Sequence, residues 1–274
     1  MNHIKLLALD LDGTTLRKNN TLSKAVGNAL KKAAANGIEV VAASGRPYHS
    51  MPKEIFSLGC INYVISSNGA AIYDKSGARI HENLLEEADV IKLLQLTEDV
   101  DLIWEAFQNG ATYTDNRYLA DPLRYGCSEA YISYVQNSRG GLDDIRQYIF
   151  ENRKNLDSVE FVCTNKELRE SVRHRLKENI DGLYITSSSE NFVEFMNKTA
   201  TKGNAVHWLC DNLEIDKAHT AACGNADNDA DMIAHAELRA AVANASATCK
   251  AVADIIVPSC DDDGVAKLIE MILQ

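Results

Sequence analysis

Proline is scarce in this chain, with four in 274 residues, so Pro-rich tails and stiff extended linkers are not part of it. Positive charge is scarce too: 28 Lys and Arg stand against 39 Asp and Glu, a formal net charge of −11. Its average field repels nucleic acid and anionic membrane surfaces, and neither is expected as a partner. An anionic ligand must therefore be caught by a local positive site. Paired cysteines are missing as well. The seven present (Cys60, Cys127, Cys163, Cys210, Cys223, Cys249 and Cys260) are odd in number and scattered, with no two at metal-ligand spacing. They read as reduced, mostly buried thiols rather than a disulfide framework or a zinc site. Nor is there a long hydrophobic run: the apolar stretch at residues 4–11 meets Asp10 and Asp12 well before the roughly 20 residues that span a bilayer. No small-residue cleavage site follows it, and the expected location is the cytoplasm.

What is there is ample apolar material. At 46% hydrophobic residues, the chain can bury a sizeable core and divide into two unequal domains. Residues 4–11 close at Asp12-Gly13, the pattern of a buried strand entering a loop directly. Ser23 can cap a helix in which Val26, Leu30 and Ala33 share a face before Asn36-Gly37 stops it. Residues 38–42 and 63–65 are further strands, ending at Ser44-Gly45-Arg46-Pro47 and Ser66-Ser67-Asn68-Gly69. Strand, helix and strand with polar residues after each strand predict an α/β fold with a mostly parallel, helix-covered sheet. Ligands of such sheets gather at the C-terminal strand ends, and Asp10, Asp12, Ser44 and Asn68 all fall there.

The middle of the chain changes character. A helix is expected over residues 86–107, followed by Tyr-, Asn- and Gly-containing segments to 141. Then come a helix at 143–151, a strand at 158–163, a helix at 166–178 and strands at 183–186 and 192–196. This predicts an inserted α/β module over residues 83–191, between the two parts of a first domain at 1–82 and 192–274. The first pattern resumes after Lys202-Gly203, with a helix at 204–210, a strand at 219–223, a helix at 229–236, strands at 238–242 and 255–257, and a last helix from 264.

Asp10 and Asp12 stand two apart in Asp10-Leu11-Asp12-Gly13-Thr14. On a regular strand they would share a face, and two close carboxylates repel unless a cation or a shared proton intervenes. A hard divalent ion with oxygen ligands would bridge Asp10 and a phosphoryl oxygen as the carboxylate attacks phosphorus. Asp12, turned by Gly13 toward the leaving group, can act as general acid and then general base. The competing reading is a strand end followed by an ordinary Asp-Gly turn. Ser44 and Gly45 can hold phosphate oxygens by hydroxyl and backbone N–H groups, with Arg46 an aid to substrate binding or a partner of an acidic neighbour. Lys202 can neutralise the nucleophile and the transferred phosphoryl group, with Lys198 as the nearby decoy. In the second acidic cluster, residues 224–229, oxygen side chains can complete a cation's shell or cap the following helix. The polar and aromatic run Tyr113-Thr114-Asp115-Asn116-Arg117-Tyr118 can line a substrate wall or pack inside its module.

These motifs, taken together and in this order, resemble the haloacid dehalogenase superfamily, and within it the Cof-like phosphatases with an inserted type IIB cap. Asp10-Leu11-Asp12-Gly13-Thr14 is similar to the first motif, Ser44-Gly45-Arg46 to the second and Lys202-Gly203 to the third. Residues 224–229, Met232, residues 241–245 and Asp263-Gly264-Val265 resemble the fourth and its sequel. The resemblance implies a Rossmannoid core and a Mg²⁺-dependent phosphomonoester hydrolase working through an aspartyl phosphate on Asp10, with Asp12 as acid/base. It implies Mg²⁺ held by Asp10, the Asp12 carbonyl and Asn225, with Asp229 supporting the metal waters. It implies Ser44, Lys202 and Asn228 around the phosphate and Asn68 near the substrate. The expected partner is a small phosphorylated metabolite, with a sugar phosphate as first choice, and the expected state a monomer or weak homodimer. Asn225 departs from the pattern: the family usually has a carboxylate there. That departure keeps open a weakly catalytic phosphate-binding or regulatory protein; a sugar phosphomutase is the other alternative.

Overall fold

The run Leu6-Leu7-Ala8-Leu9 has no polar face. In the computed structural model of the protein, which describes residues 4–187 and 191–274, it forms a central strand covered on both sides. β1 (Leu6–Asp10) sends Leu7 and Leu9 into a layer with Val26 and Leu30 of the helix Lys24–Ala35 and Leu268 of the helix Gly264–Ile272. Leu6 and Ala8 point the other way, into a layer with Val206 and Leu209 of the helix Lys202–Asn212 and Met232 of the helix Ala230–Ala234. Alternate strand residues face opposite sides, so a strand between two helical layers must be apolar where both layers cover it, as Leu6 to Leu9 are.

The remaining strands are β2 (Glu39–Ala43), β3 (Ile61–Ser66), β4 (Ala71–Asp74), β5 (Arg79–Glu82), β6 (Ile103–Gln108), β7 (Ala111–Asp115) and β8 (Arg139–Leu142). They continue with β9 (Ser158–Val162), β10 (Leu183–Thr186), β11 (Phe192–Asn197), β12 (Thr220–Gly224), β13 (Leu238–Val242) and β14 (Ile255–Val257). One sheet has the order β14-β13-β12-β1-β2-β3-β4-β5. From β14 to β3 its pairs are all parallel, and β4 turns back antiparallel on β3. β1 lies where the chain order reverses, so the loops after β1, β2, β3 and β12 leave from one edge around a switch point. This is the α/β fold with a mostly parallel sheet that the sequence predicts. Among the described residues no helix is long and apolar enough to cross a membrane.

The chain forms two compact units: one holds residues up to 45, 51–81 and from 201 onward, the other residues 46–50 and 82–200. The second has its own sheet, ordered β10-β11-β9-β6-β7-β8 and antiparallel except between β7 and β8. One face carries Trp104, Phe161 and Phe195 into a layer with Val90 and Leu93 of the helix Glu87–Gln95, Ile149 of the helix Ile145–Glu151 and Val172 of the helix Lys166–Asn179.

Two expectations for this region are corrected, and a third, open between two alternatives, is resolved. The helix expected over residues 86–107 stops at Gln95, and Ile103–Gln108 is a strand instead; its β-branched and aromatic residues alternate between the two faces of the sheet, a period of two rather than 3.6. The module does not end at 191, because β11 pairs with β9 and β10 and so belongs to the second sheet. For the run from Tyr113 to Tyr118, the alternative of packing inside its module is the one observed. Tyr118 is buried with Ile103, Val135 and Val162, Tyr113 packs on Tyr148, and Arg117 binds Asp115 and Asp101.

The other face of the second sheet holds a row of acids. Glu105 lies directly opposite Glu160, and Glu160 opposite Glu194, and all three are buried. Like charges in such positions destabilise a sheet. Arg139 is the cation paired with Glu105, at 3.1 Å. Burial, and then the Glu105 carboxylate, push Glu160 well above its usual 4.5, so it keeps its proton in the folded state at pH values where the unfolded chain has lost it. A raised folded-state value for an acid means stability that is present below about pH 4.5 and declines as pH rises toward the folded value. We predict that Glu160→Gln leaves stability nearly unchanged at pH 4.5 and raises it at pH 8, read from urea midpoints. A variant less stable than the parent at pH 8 would contradict the buried-proton account.

Candidate functional site

The first unit gathers most of the residues singled out in the sequence at the edge where β1, β2, β3 and β12 end. Asp10 is the last residue of β1 and is buried. Lys202 is the first residue of the helix Lys202–Asn212, whose cap is Thr201, and only 1% of it is exposed. Its Nζ donates to Asp10 Oδ1 at 2.8 Å and to Asp229 Oδ1 at 2.6 Å. Lys198, the decoy, is exposed. Asp229 is fully buried and uses its other oxygen, Oδ2, to accept from the backbone N–H groups of Asn225 and Ala226, both at 2.9 Å. One carboxylate thus anchors the lysine and the loop after β12 together.

One cation between two buried carboxylates leaves the cluster short of positive charge. Burial and the Asp229 carboxylate push Asp10 up to about 7 against the opposing pull of Lys202. The same two carboxylates hold Lys202 above its ordinary value, outweighing the burial that lowers it. The lysine is therefore a fixed cation, while the aspartate sits in a field that a further positive charge would relieve.

Around this pair the loops lock onto one another. After β1 the chain turns at Gly13, with φ +77°, where a Cβ would lie 2.8 Å from the Asn225 amide. The Gly13 carbonyl accepts from Asn244 Nδ2 at 2.8 Å. After β2, Ser44 is buried; its N–H donates to the Ile65 carbonyl and its own carbonyl accepts from the N–H of Asn68. Asn68 adopts a left-handed backbone, φ 56°, and its Oδ1 accepts from Asn228 Nδ2 at 2.8 Å. Asn228 Oδ1 is buried with no hydrogen-bond partner among the described residues. Gly69 permits a close approach: a Cβ there would stand 2.2 Å from the Thr201 carbonyl oxygen, so the Asn68 loop is pressed against the cap that aims Lys202.

Asp10, Asp12, Ser44, Gly45, Asn68, Lys202, Asn225, Asn228 and Asp229 all lie in the first unit, and Arg46 in the second. The Arg46 guanidinium lies 4.7 Å from the centre of the Tyr134 ring and donates to the Ser50 carbonyl. Two residues lie inside motifs quoted from the sequence but have no role assigned there. Thr14 places its hydroxyl 2.9 Å from the Asn225 side chain, and Asn244 ties the Gly13 turn to the N–H of Cys260. Asn244 follows the end of β13, so the strand-end rule that gave Ser44 a role would have given it one as well.

The donor set near Asp10 consists of one carboxylate, the Asp12 carbonyl and the Asn225 side chain. Among the described residues no three His, Cys, Asp or Glu side chains are grouped to hold a metal. Oxygen donors of this kind still suit a hard cation such as Mg²⁺, which one or two carboxylates with water and substrate oxygens satisfy. One terminal atom of Asn225 lies 2.9 Å from both Asp10 Oδ2 and the Asp12 carbonyl oxygen. Neighbouring ligands of an octahedral ion with 2.0–2.1 Å bonds are about 2.9 Å apart, so the residues present fit the group.

A profile of haloacid dehalogenase-like hydrolases matches residues 7–269. Phosphatase YwpJ of Bacillus subtilis is 32% identical over 286 residues, covering 98% of this chain and 100% of the relative. A putative phosphatase, YxeH of the same organism, is 28% identical over 98% of both chains. A solved haloacid dehalogenase-like hydrolase from B. subtilis superposes with a TM-score of 0.86 at 30% identity, covering 97% of this chain and 99% of that one.

Removing Lys202 would leave two buried carboxylates facing each other. We predict that Lys202→Met lowers unfolding stability at pH 8 by about 3–5 kcal/mol, measured by urea denaturation. A loss below about 1 kcal/mol would show that the lysine is not what balances Asp10 and Asp229.

Proposed function

This chain belongs to the haloacid dehalogenase-like hydrolase family and is a phosphatase, and from that premise we propose a Mg²⁺-dependent phosphomonoesterase that acts on small phosphorylated metabolites through an aspartyl phosphate on Asp10. The observation that carries the proposal is the buried contact of Lys202 with Asp10, 2.8 Å at the end of the central strand. It fixes one carboxylate oxygen and supplies the charge that an incoming phosphate needs.

In the first step an oxygen of the Asp10 carboxylate attacks phosphorus and the bond from phosphorus to the ester oxygen breaks. Asp12 as general acid gives a proton to the departing alkoxide. In the second step water attacks phosphorus, Asp12 takes the water's proton, and the Asp10 carboxylate leaves as inorganic phosphate forms. Lys202 remains charged throughout. Ser44 and the backbone beyond it, with Asn228, bind the phosphoryl oxygens. Asn68 positions both, because it bonds to the Ser44 carbonyl through its N–H and to Asn228 through its side chain. When bound by Asp10, the Asp12 carbonyl and Asn225, Mg²⁺ supplies charge neutralisation between the nucleophile and the phosphoryl oxygens. Asp229 supports this site indirectly by holding Lys202 and the Asn225 backbone.

We take sugar phosphates as the first substrates to test. Phosphate release in Mg²⁺ should be measured across sugar phosphates, flavin mononucleotide, pyridoxal phosphate, nucleotides and a phosphopeptide. Release from one or more small monoesters, with the phosphopeptide inert, is the expected result; preference for the phosphopeptide would overturn the substrate class. Isomer formation without net phosphate would point to a mutase, and phospholigand binding without release to a regulatory protein.

Asp10→Asn preserves volume and removes the nucleophilic charge. We expect it to keep the fold while kcat/KM falls on the order of 10⁴-fold. Parental turnover by the folded variant would reject Asp10 as the nucleophile.

A further inference from the structure

Asn225 stands where a carboxylate would be the simplest ligand for a cation, and its surroundings give the amide a second use. One terminal atom of its side chain is 2.9 Å from Asp10 Oδ2, from the Asp12 carbonyl oxygen and from Thr14 Oγ1. The first two can only accept hydrogen bonds when Asp10 is ionised. An amide oxygen in that corner would face both with no proton between them. An amide nitrogen carries two protons and serves both, so the hydrogen-bond pattern places nitrogen inward. The oxygens it satisfies are the two that, with Asn225 itself, form the donor set for a hard cation.

We propose that Asn225 is a two-position amide: with nitrogen inward it takes the place of Mg²⁺ in the metal-free protein, and with oxygen inward it becomes a ligand of the bound ion. The change exchanges two atoms of similar size by a half-turn of the terminal amide, and the surrounding backbone need not move. That backbone is held independently. The Asn225 N–H donates to Asp229 Oδ2 at 2.9 Å, its carbonyl accepts from the N–H of Ser246 at 2.8 Å, and Gly13 leaves room beside the amide. A carboxylate has no equivalent state, since both of its ends are oxygen. With Asp at this position the metal-free site would bring a third carboxylate to Asp10 and Asp229, with Lys202 as their only bonded cation in the described cluster. The amide therefore lets the site remain ordered without the ion, and the ion must displace two hydrogen bonds to enter.

The inference rests on the reading of a Mg²⁺ site, and the test separates the two. Side-chain amide signals of ¹⁵N-labelled, chelator-treated protein are recorded with and without saturating Mg²⁺, and Asn225→Asp identifies the Asn225 pair by its disappearance. Calorimetry follows Mg²⁺ binding to both proteins, and melting temperatures are taken without and with saturating Mg²⁺. The expected result is an Asn225 NH₂ pair that is protected from solvent exchange without metal and loses that protection on Mg²⁺ binding. Asn225→Asp should melt at a lower temperature without metal and bind Mg²⁺ at least severalfold more tightly. A pair that exchanges freely without metal, or that is unchanged while calorimetry records Mg²⁺ binding, would overturn the two-position amide and leave the metal reading intact. No binding heat in either protein, with melting temperatures also unmoved by Mg²⁺, would overturn the metal reading and the switch with it.

Discussion

The Lys202 ammonium between the Asp10 and Asp229 carboxylates is the interaction on which the site depends. Burying one cation and two anions is costly, and the cost is offset only if each charged atom finds close partners. That requirement fixes three chain segments at once: the end of β1, the start of the helix Lys202–Asn212 and the loop after β12. The parallel sheet brings these segments to one edge, but the sheet alone would leave the side chains free to choose. The ion pairs, the Asp229 bonds to two backbone N–H groups and the press of Gly69 against Thr201 remove that choice.

The arrangement holds the Asp10 carboxylate in place without neutralising it fully. Lys202 occupies Asp10 Oδ1, and Oδ2 faces Asn225, so the two oxygens of one residue have different environments. Burial makes each interaction stronger than it would be in water. It also explains why the loops carry so many mutual hydrogen bonds: an oxygen left without a partner here costs more than one at the surface. Asn228 Oδ1, Ser67 Oγ and Asp231 Oδ1 are buried exceptions among the described residues of these loops and the helix Ala230–Ala234.

Much of this was legible in the sequence because strand ends announce themselves. An apolar run that stops at Asp, Ser-Gly or Asn-Gly gives both the strand and the edge, and residues 4–11 and 38–42 read correctly for that reason. Lys202 was harder, since a lysine before a helix is ordinarily solvated, and only its place in the order of motifs marked it out. The second unit was read less well. The helix expected to 107 failed because one buried glutamate, Glu105, interrupts the apolar pattern of β6 where a strand core would normally be apolar. Arg46 follows Ser44 and Gly45 in sequence yet stacks on Tyr134 in the other unit, a division that adjacency along the chain hides. The orientation of the Asn225 amide was beyond any sequence pattern, because it depends on which oxygens converge on one atom.

The central claim is that phosphorus passes through a covalent bond to Asp10. It is tested most directly by mixing an Asp12→Asn variant, in which the water-consuming step lacks its base, with Mg²⁺ and an aryl phosphate whose leaving group departs without needing the proton that Asp12 would give. The mixture is quenched in acid and the digested protein mapped by mass spectrometry. The account predicts one added phosphoryl group on the peptide that contains Asp10. Phosphate release continuing at the parental rate in that variant, with no phosphorylated Asp10 peptide at any quench time, would contradict it.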